Sequence, residues 1–485
     1  MRDYPELNLS FPSFRTSVLL AFYLCQSLGS FCQKPPAKFG EIPKEDMVLT
    51  VYAPDSSAAA VILFEYGVSY ISTTTNDAKL LVENHVRIKI LKSEGLEKAN
   101  VQIPYYFSQS REDNITNLKA STYNLEDGKI VETKLGKEGT FKEKFNRNFN
   151  ILKFTFPNVK VGSVLEYSYK KTSDQIAQFP NWRFQGDIPR RLSEYWAMIP
   201  DFFFFEKYMQ GYIPLTAGTI ESASYYGQSV KANHYVSEHV PAFKPEPYMT
   251  SEDDYVSKIN FALSHYQFPE QPMHEVMGSW QKLSELLLSY ESFGKVITAS
   301  GFLKDDVAQI TAGMTEPLQK IAAISNYVRQ NFEWDGTKDY TADQLKKVFE
   351  KRKGTSGDLN LLLGSLLDKA GFDVEMVLLS TRDHGFIREA YPMERQFNYT
   401  ICSVKAGDKT LLLDATEKYL PYDVLPSRCL NGRGLRISKT NFGWIDITSK
   451  AKEKTYINAD LVLTDAGKLE GKITYALDGY DAQVM

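Results

Sequence analysis

The chain has 485 residues, a length that suggests about two to four domains of roughly 100–200 residues each. Apolar residues make up 43% and charged residues 24%, which is the ordinary globular range and excludes a disordered tail or a coiled coil. The formal net charge of −4 indicates no large basic face, which argues against nucleic acid as a partner.

The N-terminal segment has the features of a secretory signal. Arg15 supplies a positive flank, residues 16–24 are mostly apolar, and Ser30-Phe31-Cys32 places small residues at both positions that a signal peptidase reads. The apolar stretch is too short to span a bilayer, which needs about 20 residues. We therefore expect a signal peptide at residues 1–32, Gln33 as the first mature residue, and no other transmembrane segment. The alternative is an N-terminal core helix.

Residues 33–250 are predicted to form a β-rich domain. Val86-Arg87-Ile88-Lys89-Ile90 alternates apolar and charged residues, as a strand with one wet face does. Asp127-Gly128 lies between two strand-like runs and tolerates the positive φ of a tight hairpin turn. Such runs recur with turn residues between them, and the 29 Tyr and 29 Phe of the chain suit half-buried pleated surfaces. The pattern is typical of a sandwich or a large curled sheet.

The pattern becomes helical after about residue 275. One helix is predicted from Thr315, an N-cap residue, and another begins near Ser356 and stops at Gly371. The second helix carries Leu359, Leu362, Leu363, Leu366 and Leu367. Three strand-like runs follow, at residues 374–380, 397–404 and 410–414. Helices followed by antiparallel strands predict an α+β domain, which we place at residues 270–450.

Residues 451–485 are β-like again. Leu461-Val462-Leu463-Thr464 and Gly471-Lys472-Ile473-Thr474-Tyr475 flank the turn Asp465-Ala466-Gly467-Lys468. Two strands do not form a stable domain alone. We therefore expect them either to pair with the preceding sheets or to begin a C-terminal β domain that is truncated here.

The segment Gly354-Thr355-Ser356-Gly357-Asp358 opens the apolar helix. It resembles the way in which transglutaminase-like enzymes, of the papain-like cysteine-protease superfamily, present a catalytic Cys. In such enzymes the helix N-terminus favours the thiolate, a His on a following strand takes the proton, and an Asp on the next strand orients that His. The resemblance puts Ser356 at the Cys position, Tyr399 at the His position and Asp414 at the Asp position.

Ser and Tyr do not support that chemistry. A Tyr has a pKa near 10, so roughly one molecule in a thousand is ionised at pH 7. A neutral Tyr donates a hydrogen bond but is not an efficient base, and a Ser hydroxyl needs a base more than a Cys does. We therefore expect Ser356, Tyr399 and Asp414 to be remnant triad positions in an inactive protein.

One alternative keeps the chain catalytic, as a peptide or amide hydrolase or an acyltransferase that uses Ser356 with an unidentified base. His384 lies between two strands and is a candidate base, although a surface loop His is the simpler interpretation. Together with His384, Asn398 and Asp358 are candidate binding residues. Asp358 also suits the first turn of a helix, where acidic residues are stabilising.

The resemblance covers nearly all of the expected mature chain. The region from Lys38 to about Tyr248, with its segments 58–64 and 156–167, is similar to the N-terminal domain of unknown function that precedes transglutaminase-like domains in exported bacterial proteins. The tail after Ala451 is similar to the start of their C-terminal β domain. The resemblance implies an α+β multidomain chain with an N-terminal β-sandwich-like domain, a central transglutaminase-like domain and the start of a C-terminal β domain.

The function that this resemblance implies is binding or scaffolding in the periplasm or the cell envelope. A groove beside Ser356, Tyr399 and Asp414 would hold a peptide, a protein segment or a cell-wall fragment. A further alternative is a purely structural role, in which the β domains contact protein partners and the central domain is a spacer.

Two cysteines lie outside the expected signal, Cys402 and Cys429. They either form one disulfide or remain two buried thiols, and the sequence does not decide between these alternatives. There is no Cys-x-x-Cys and no His/Cys ligand spacing, so we expect neither a metal nor a cofactor.

Overall fold

The structure is a computed structural model that describes residues 35–74, 78–108, 111–145, 148–247 and 249–480. The expected signal peptide at residues 1–32 lies outside these residues. The described chain falls into two compact units, of which one extends to Met249 and includes Asp254–Met277, and the other contains Thr250–Asp253 and everything from Gly278. In the described part, no helix is both long and apolar enough to cross a membrane.

The first unit is mostly β-structure, and its described residues include one short α-helix at Lys44–Val48 (α1). Its strands in chain order are Ala60–Thr73 (β1), Ala78–Ile90 (β2), Asn100–Tyr106 (β3), Asn114–Glu126 (β4), Lys129–Lys134 (β5), Thr140–Lys144 (β6), Phe149–Thr155 (β7), Val164–Ser173 (β8), Trp182–Arg183 (β9), Arg190–Pro200 (β10), Phe203–Gln210 (β11), Ala217–Tyr225 (β12), Gln228–Val240 (β13), Lys258–Tyr266 (β14) and His274–Glu275 (β15).

Eight of these strands form one large sheet in the order β12-β13-β10-β1-β2-β8-β4-β5, in which only the β1–β10 pair is parallel. Two smaller sheets pack against it. The first contains β9, β11, β14 and β15, and shares an apolar core with the large sheet through Tyr195 and Phe261. The second contains β3, β7 and β6, and shares another core through Ile88 and Phe154. This layering is the sandwich-like arrangement that the alternating strands predict.

The second unit has both helices and strands. Its helices are Trp280–Ser289 (α2), Gly294–Thr298 (α3), Lys304–Ile310 (α4), Pro317–Asn331 (α5), Leu345–Lys351 (α6) and Ser356–Lys369 (α7). Its strands are Glu333–Trp334 (β16), Lys353–Gly354 (β17), Val374–Leu379 (β18), Tyr399–Ala406 (β19), Lys409–Leu413 (β20), Arg433–Ile437 (β21), Gly443–Asp446 (β22), Glu453–Leu463 (β23) and Leu469–Gly479 (β24).

Helix α7 is the centre of this unit. Every residue from Ser356 to Leu367 is buried, which explains why six of the fourteen positions of the helix are leucines. It packs against the antiparallel sheet β20-β19-β18-β21-β22, and Gly364 permits a close approach because a Cβ there would lie 3.0 Å from the Met376 sulfur. The helix begins at Ser356, as the sequence predicts, and strands β18, β19 and β20 follow in the predicted order.

Strands β23 and β24 form a separate two-stranded hairpin. Its facing pairs place Ile457 opposite Tyr475 and Leu463 opposite Leu469 on one side, and all four side chains are exposed. The α+β fold class is confirmed: a β-rich N-terminal region precedes an α+β region and C-terminal strands.

Candidate functional site

The N-terminus of α7 is closed by a capping box. The Thr355 hydroxyl accepts a hydrogen bond from the backbone N–H of Asp358 (3.2 Å), and the Asp358 carboxylate accepts one from the backbone N–H of Thr355 (2.9 Å). Such reciprocal bonds satisfy backbone donors that a helix start leaves free. The second oxygen of Asp358 accepts from the backbone N–H of Asp343 (2.8 Å). The structure thus places Asp358, a candidate binding residue, in contacts that hold the helix and its neighbouring loop.

Ser356 is fully buried, with a relative exposure of 0%. Its hydroxyl donates to the carbonyl of Asp339 (2.8 Å) and accepts from the backbone N–H of the same residue (2.9 Å). The loop around Thr341 lies so close to the helix that a Cβ on Gly357 would be 2.2 Å from the Thr341 carbonyl oxygen. A hydroxyl covered in this way cannot reach a substrate in this conformation.

Tyr399 lies at the start of β19 and has an exposure of 0%. Its hydroxyl donates to the Asp414 carboxylate (2.8 Å) and lies 2.9 Å from the Thr416 hydroxyl. Burial, together with the charge of Asp414, raises the pKa of Tyr399 well above its ordinary value. The phenol therefore stays neutral and acts here as a hydrogen-bond donor.

Asp414 follows β20 and is 4% exposed. Besides Tyr399, it accepts hydrogen bonds from the Asn360 side-chain amide (2.9 Å) and from the backbone N–H and hydroxyl of Thr416. Asn360 also accepts from the backbone N–H of Ala415 (2.8 Å). Because residues four apart share one face of a helix, Asn360 lies one turn beyond Ser356. The buried carboxylate is therefore joined to α7 through Asn360, whereas the Ser356 hydroxyl bonds elsewhere.

Arg428 supplies a positive charge beside this carboxylate network. Its guanidinium donates to the Thr416 hydroxyl and to the Glu417 carboxylate (2.6 Å). It lies over the Trp334 ring, 4.3 Å from the centroid, and 5.9 Å from the centroid of Tyr399. A planar cation with fixed donors suits both contacts.

Three members of this polar cluster were not singled out from the sequence: Asn360, Thr416 and Arg428. Asn360 carried a usable signal, because it is a polar residue inside the apolar run of α7 and a buried amide needs partners. Arg428 lies in a Gly-rich stretch whose composition predicts a turn. No residue near it in the sequence indicates its contact with Trp334.

Asn398 and His384 both lie in the segment that connects β18 to β19. The Asn398 side chain exchanges hydrogen bonds with Thr381, at 2.9 Å to its backbone N–H and 2.8 Å to its hydroxyl. His384 is exposed, and its Nδ1 lies 2.9 Å from the Ser380 hydroxyl. Since both hydrogen bonds of the Ser356 hydroxyl go to Asp339, the structure does not join Ser356 with His384.

Cys402 and Cys429 are both buried free thiols, and the structure contains no disulfide between them. The Cys402 thiol donates to the carbonyl of Asn360 (3.0 Å), and burial raises the pKa of both thiols. Among the described residues, no group of three or more His, Cys, Asp or Glu side chains is arranged to hold a metal ion.

Two protein-family models match the chain. Residues 76–224 match a domain of unknown function with a solved structure, DUF3857, and residues 305–399 match the transglutaminase-like superfamily. The second range contains Ser356 and ends at Tyr399. No curated protein matches the chain.

Two solved structures illustrate the similarity. A protein from Parabacteroides distasonis, described as a candidate protease, is similar over 81% of this chain and 72% of its own, with a TM-score of 0.57 and 14% identity. At that identity the likeness shows the fold alone. A candidate cysteine protease from Cytophaga hutchinsonii aligns over 83% of this chain and 91% of its own, with 9% identity, and its TM-score of 0.22 supports no structural argument.

Proposed function

The chain carries a DUF3857 domain followed by a transglutaminase-like domain, and we propose that it is a non-catalytic member of this fold that acts in binding or scaffolding. The observation that carries the proposal is the state of Ser356, whose hydroxyl is fully buried and bonded on both sides to the main chain of Asp339. A nucleophile must be exposed to its substrate and must lie within hydrogen-bond reach of a base.

The state of Tyr399 also supports the proposal. Tyr399 is neutral because burial raises its pKa, and its hydroxyl already donates a hydrogen bond to Asp414. Asp414 in turn is held by Asn360 and Thr416, so the cluster is a satisfied polar core rather than a proton-transfer chain.

The binding role is proposed for surfaces other than the remnant triad. Ser356, Tyr399 and Asp414 are buried, so a peptide, protein or cell-envelope ligand would not contact them in this conformation. Function can persist on a fold whose original site is closed, since function depends on sites and not on the fold itself.

An activity-restoration experiment tests this proposal. The parent, Ser356→Cys, Tyr399→His and the double variant are assayed for hydrolysis of a fluorogenic casein, with Ser365→Cys plus Tyr399→His as a control in the same helix. We expect the parent to be inactive, because Ser356 is buried and Tyr399 is not a base near neutral pH. Activity in the double variant alone would also show that these positions correspond to a Cys and His pair.

A labelling experiment gives the outcome that would overturn the proposal. The parent and a Ser356→Ala variant are treated with a fluorophosphonate probe, which reacts with activated serines. We expect equal background labelling of the two. Labelling of the parent that disappears in Ser356→Ala, or hydrolysis by the parent itself, would show that Ser356 is a nucleophile.

We further propose that the protein is exported to the periplasm or the cell envelope, on the basis of the apolar stretch at residues 16–24 and the small residues that follow it. N-terminal sequencing of the secreted chain is expected to begin at Gln33. A chain that keeps Met1 in the cytoplasm would contradict this proposal.

A further inference from the structure

The first unit contains a cleft of about 1050 Å³, far from the residues of the remnant triad in sequence. Strands β4 and β5 at the edge of the large sheet form one side of the cleft. The small sheet β3-β7-β6 forms the other side, and the segment Phe39-Gly40 contributes to the lining. Its volume is similar to that of the larger small-molecule pockets, which run to about 1,000 Å³.

The cleft opens onto apolar side chains. Leu152 of β7 is part of the buried core between the two sheets, and Ile115, Leu118 and Leu135 are partly buried against the same core. Tyr105 also lines the cleft, but it is only 2% exposed, its hydroxyl is buried, and the Lys142 ammonium lies 5.5 Å from the centre of its ring.

Strand β4 is irregular at the cleft. Its pairing with β8 shifts between Thr116 and Lys119, and Asn117 has a φ of 53°. A bulge of this kind bends a strand and redirects side chains, and bulges are common beside binding sites. Here it brings Leu118 and Lys119 into the lining of the same cleft.

The carboxylates of the cleft are already compensated. Glu112 pairs with Lys142 (3.1 Å), and Asp113 accepts from the backbone N–H of Tyr106 (2.9 Å). Glu132 accepts from the hydroxyls of Ser121 and Tyr123 and lies 3.6 Å from the Lys134 ammonium.

Two lysines of the lining remain uncompensated. Within the described residues, neither Lys119 nor Lys137 has an ion-pair partner, and Lys119 lies over the Phe39 ring, 5.8 Å from its centroid. Both side chains are exposed at the cleft. A ligand that enters the cleft therefore meets a mixed lining, with a group of apolar side chains, compensated polar side chains and two lysines without an ion-pair partner.

We propose that this cleft binds an anionic amphiphile, a molecule with one hydrocarbon chain and a carboxylate or phosphate head. The chain packs against Ile115, Leu118 and Leu152, where burial of apolar surface stabilises it by roughly 25 cal/mol per Å². The head binds Lys119 and Lys137, the two lysines of the lining without an ion-pair partner among the described residues. Carboxylate and phosphate share the required charge, so a fatty acid and a phospholipid-type head are two sources of the same chemistry.

The test measures binding of hexadecanoate, hexadecyl phosphate and hexadecanol to the full chain by isothermal titration calorimetry. We expect both anions to bind with one-to-one stoichiometry and hexadecanol to bind more weakly. The tighter of the two anions identifies the source of the head group. Equal binding of hexadecanol would overturn the role of the lysines, and acetate that binds as tightly as hexadecanoate would overturn the role of the apolar walls.

A charge-reversal pair locates the site. In Lys119→Glu plus Lys137→Glu, loss of two charge-assisted contacts is expected to weaken anion binding about tenfold or more. The matched control is Lys129→Glu plus Lys144→Glu, which changes the net charge equally on β5 and β6 outside the lining. Equal weakening in both pairs would show a general charge effect and overturn the proposal.

Chemical footprinting provides a second readout that needs no variant. Acetylation of Lys119 and Lys137 by acetic anhydride is measured by mass spectrometry, and we expect hexadecanoate to protect both but not Lys129. Unchanged acetylation at saturating hexadecanoate would overturn the assignment. An acidic peptide that protects these lysines when hexadecanoate does not would show a peptide site instead.

Discussion

Tyr399 determines which chemistry is available at its position in the candidate site. A His at this position could exchange a proton near neutral pH, whereas a buried Tyr holds its proton. The hydroxyl instead ties β19 to Asp414 and Thr416 across the end of the sheet. Tyr399 therefore completes a buried hydrogen-bond network and keeps its proton in doing so.

This network predicts the effect of removing the Tyr399 hydroxyl. Tyr399→Phe leaves a buried oxygen of Asp414 with one partner fewer, which is expected to lower the free energy of unfolding by about 1–3 kcal/mol. Urea denaturation of the purified chain measures the change. Tyr419→Phe is the control, since that ring is 89% exposed and its change should stay within about 0.5 kcal/mol. Equal stability of Tyr399→Phe and the parent would contradict the proposed bond.

At the scale of an element, the N-terminus of α7 is held by contacts that do not depend on catalysis. The capping box of Thr355 and Asp358 begins the helix, and Gly357 allows the loop at Thr341 to lie on it. Only a residue without a Cβ fits there, because the loop backbone occupies that space.

Gly357→Ala is expected to push this loop away from the helix. The new Cβ would lie 2.2 Å from the Thr341 carbonyl oxygen, and such overpacking costs about 1–3 kcal/mol. Hydrogen exchange should show faster exchange of the Asp339 amide, which donates to Ser356 in the parent. Gly301→Ala is the matched control, because nothing lies within 4 Å of its added Cβ. If both variants behave like the parent, the loop does not rest on Gly357.

At the scale of the whole molecule, the first unit contains a buried charge network unrelated to the candidate site. Glu166 accepts from Arg87 (2.7 Å), from the His85 ring (2.9 Å) and from the backbone N–H of Gly40 (2.8 Å). Arg87 also lies 3.5 Å from Asp46 of α1. These contacts fix the N-terminal segment to strands β2 and β8, and they make the stability of this unit depend on pH.

The sign of that dependence follows from Glu166. Burial raises its pKa, but the His85 hydrogen bond, the Arg87 charge and the Gly40 N–H outweigh burial, so the pKa lies below its ordinary value of 4.5. As pH falls, Glu166 therefore takes up its proton at a higher pH in the unfolded chain than in the folded chain. The stability that ionised Glu166 supplies is present above about pH 4.5 and is lost as pH falls through its folded pKa.

Glu166→Gln should remove this contribution. We expect a loss of about 3 kcal/mol at pH 7, because Arg87 stays buried with a weaker partner, and a difference from the parent that shrinks below pH 4.5. Urea denaturation from pH 3 to pH 7 measures both curves. Glu83→Gln, which removes an exposed pair with Lys170, should change stability by at most about 1 kcal/mol. Parallel curves for Glu166→Gln and the parent would contradict the linkage.

Much of the fold could be predicted from local patterns. The strand around Val86, the Asp127-Gly128 turn and the helix after Ser356 each depend on neighbours within a few residues, so strand, hairpin and helix could be predicted from the sequence. The wet face expected for that strand was wrong, because Arg87 and Lys89 are both buried by other parts of the unit. The pairing of strands distant in the chain, such as β1 with β10, could not be predicted, because sheet order depends on long-range packing.

For the site, the sequence by itself determined which chemical groups are present: a hydroxyl at Ser356 and a phenol at Tyr399, neither of which suits a Cys and His mechanism. Only the tertiary structure decided where those groups go. Closure of Ser356 by the main chain of Asp339, and the convergence of Asn360, Asp414 and Arg428, join residues far apart in the chain. Such contacts arise from packing of α7 on its sheet and leave no periodic signal that a sequence could show.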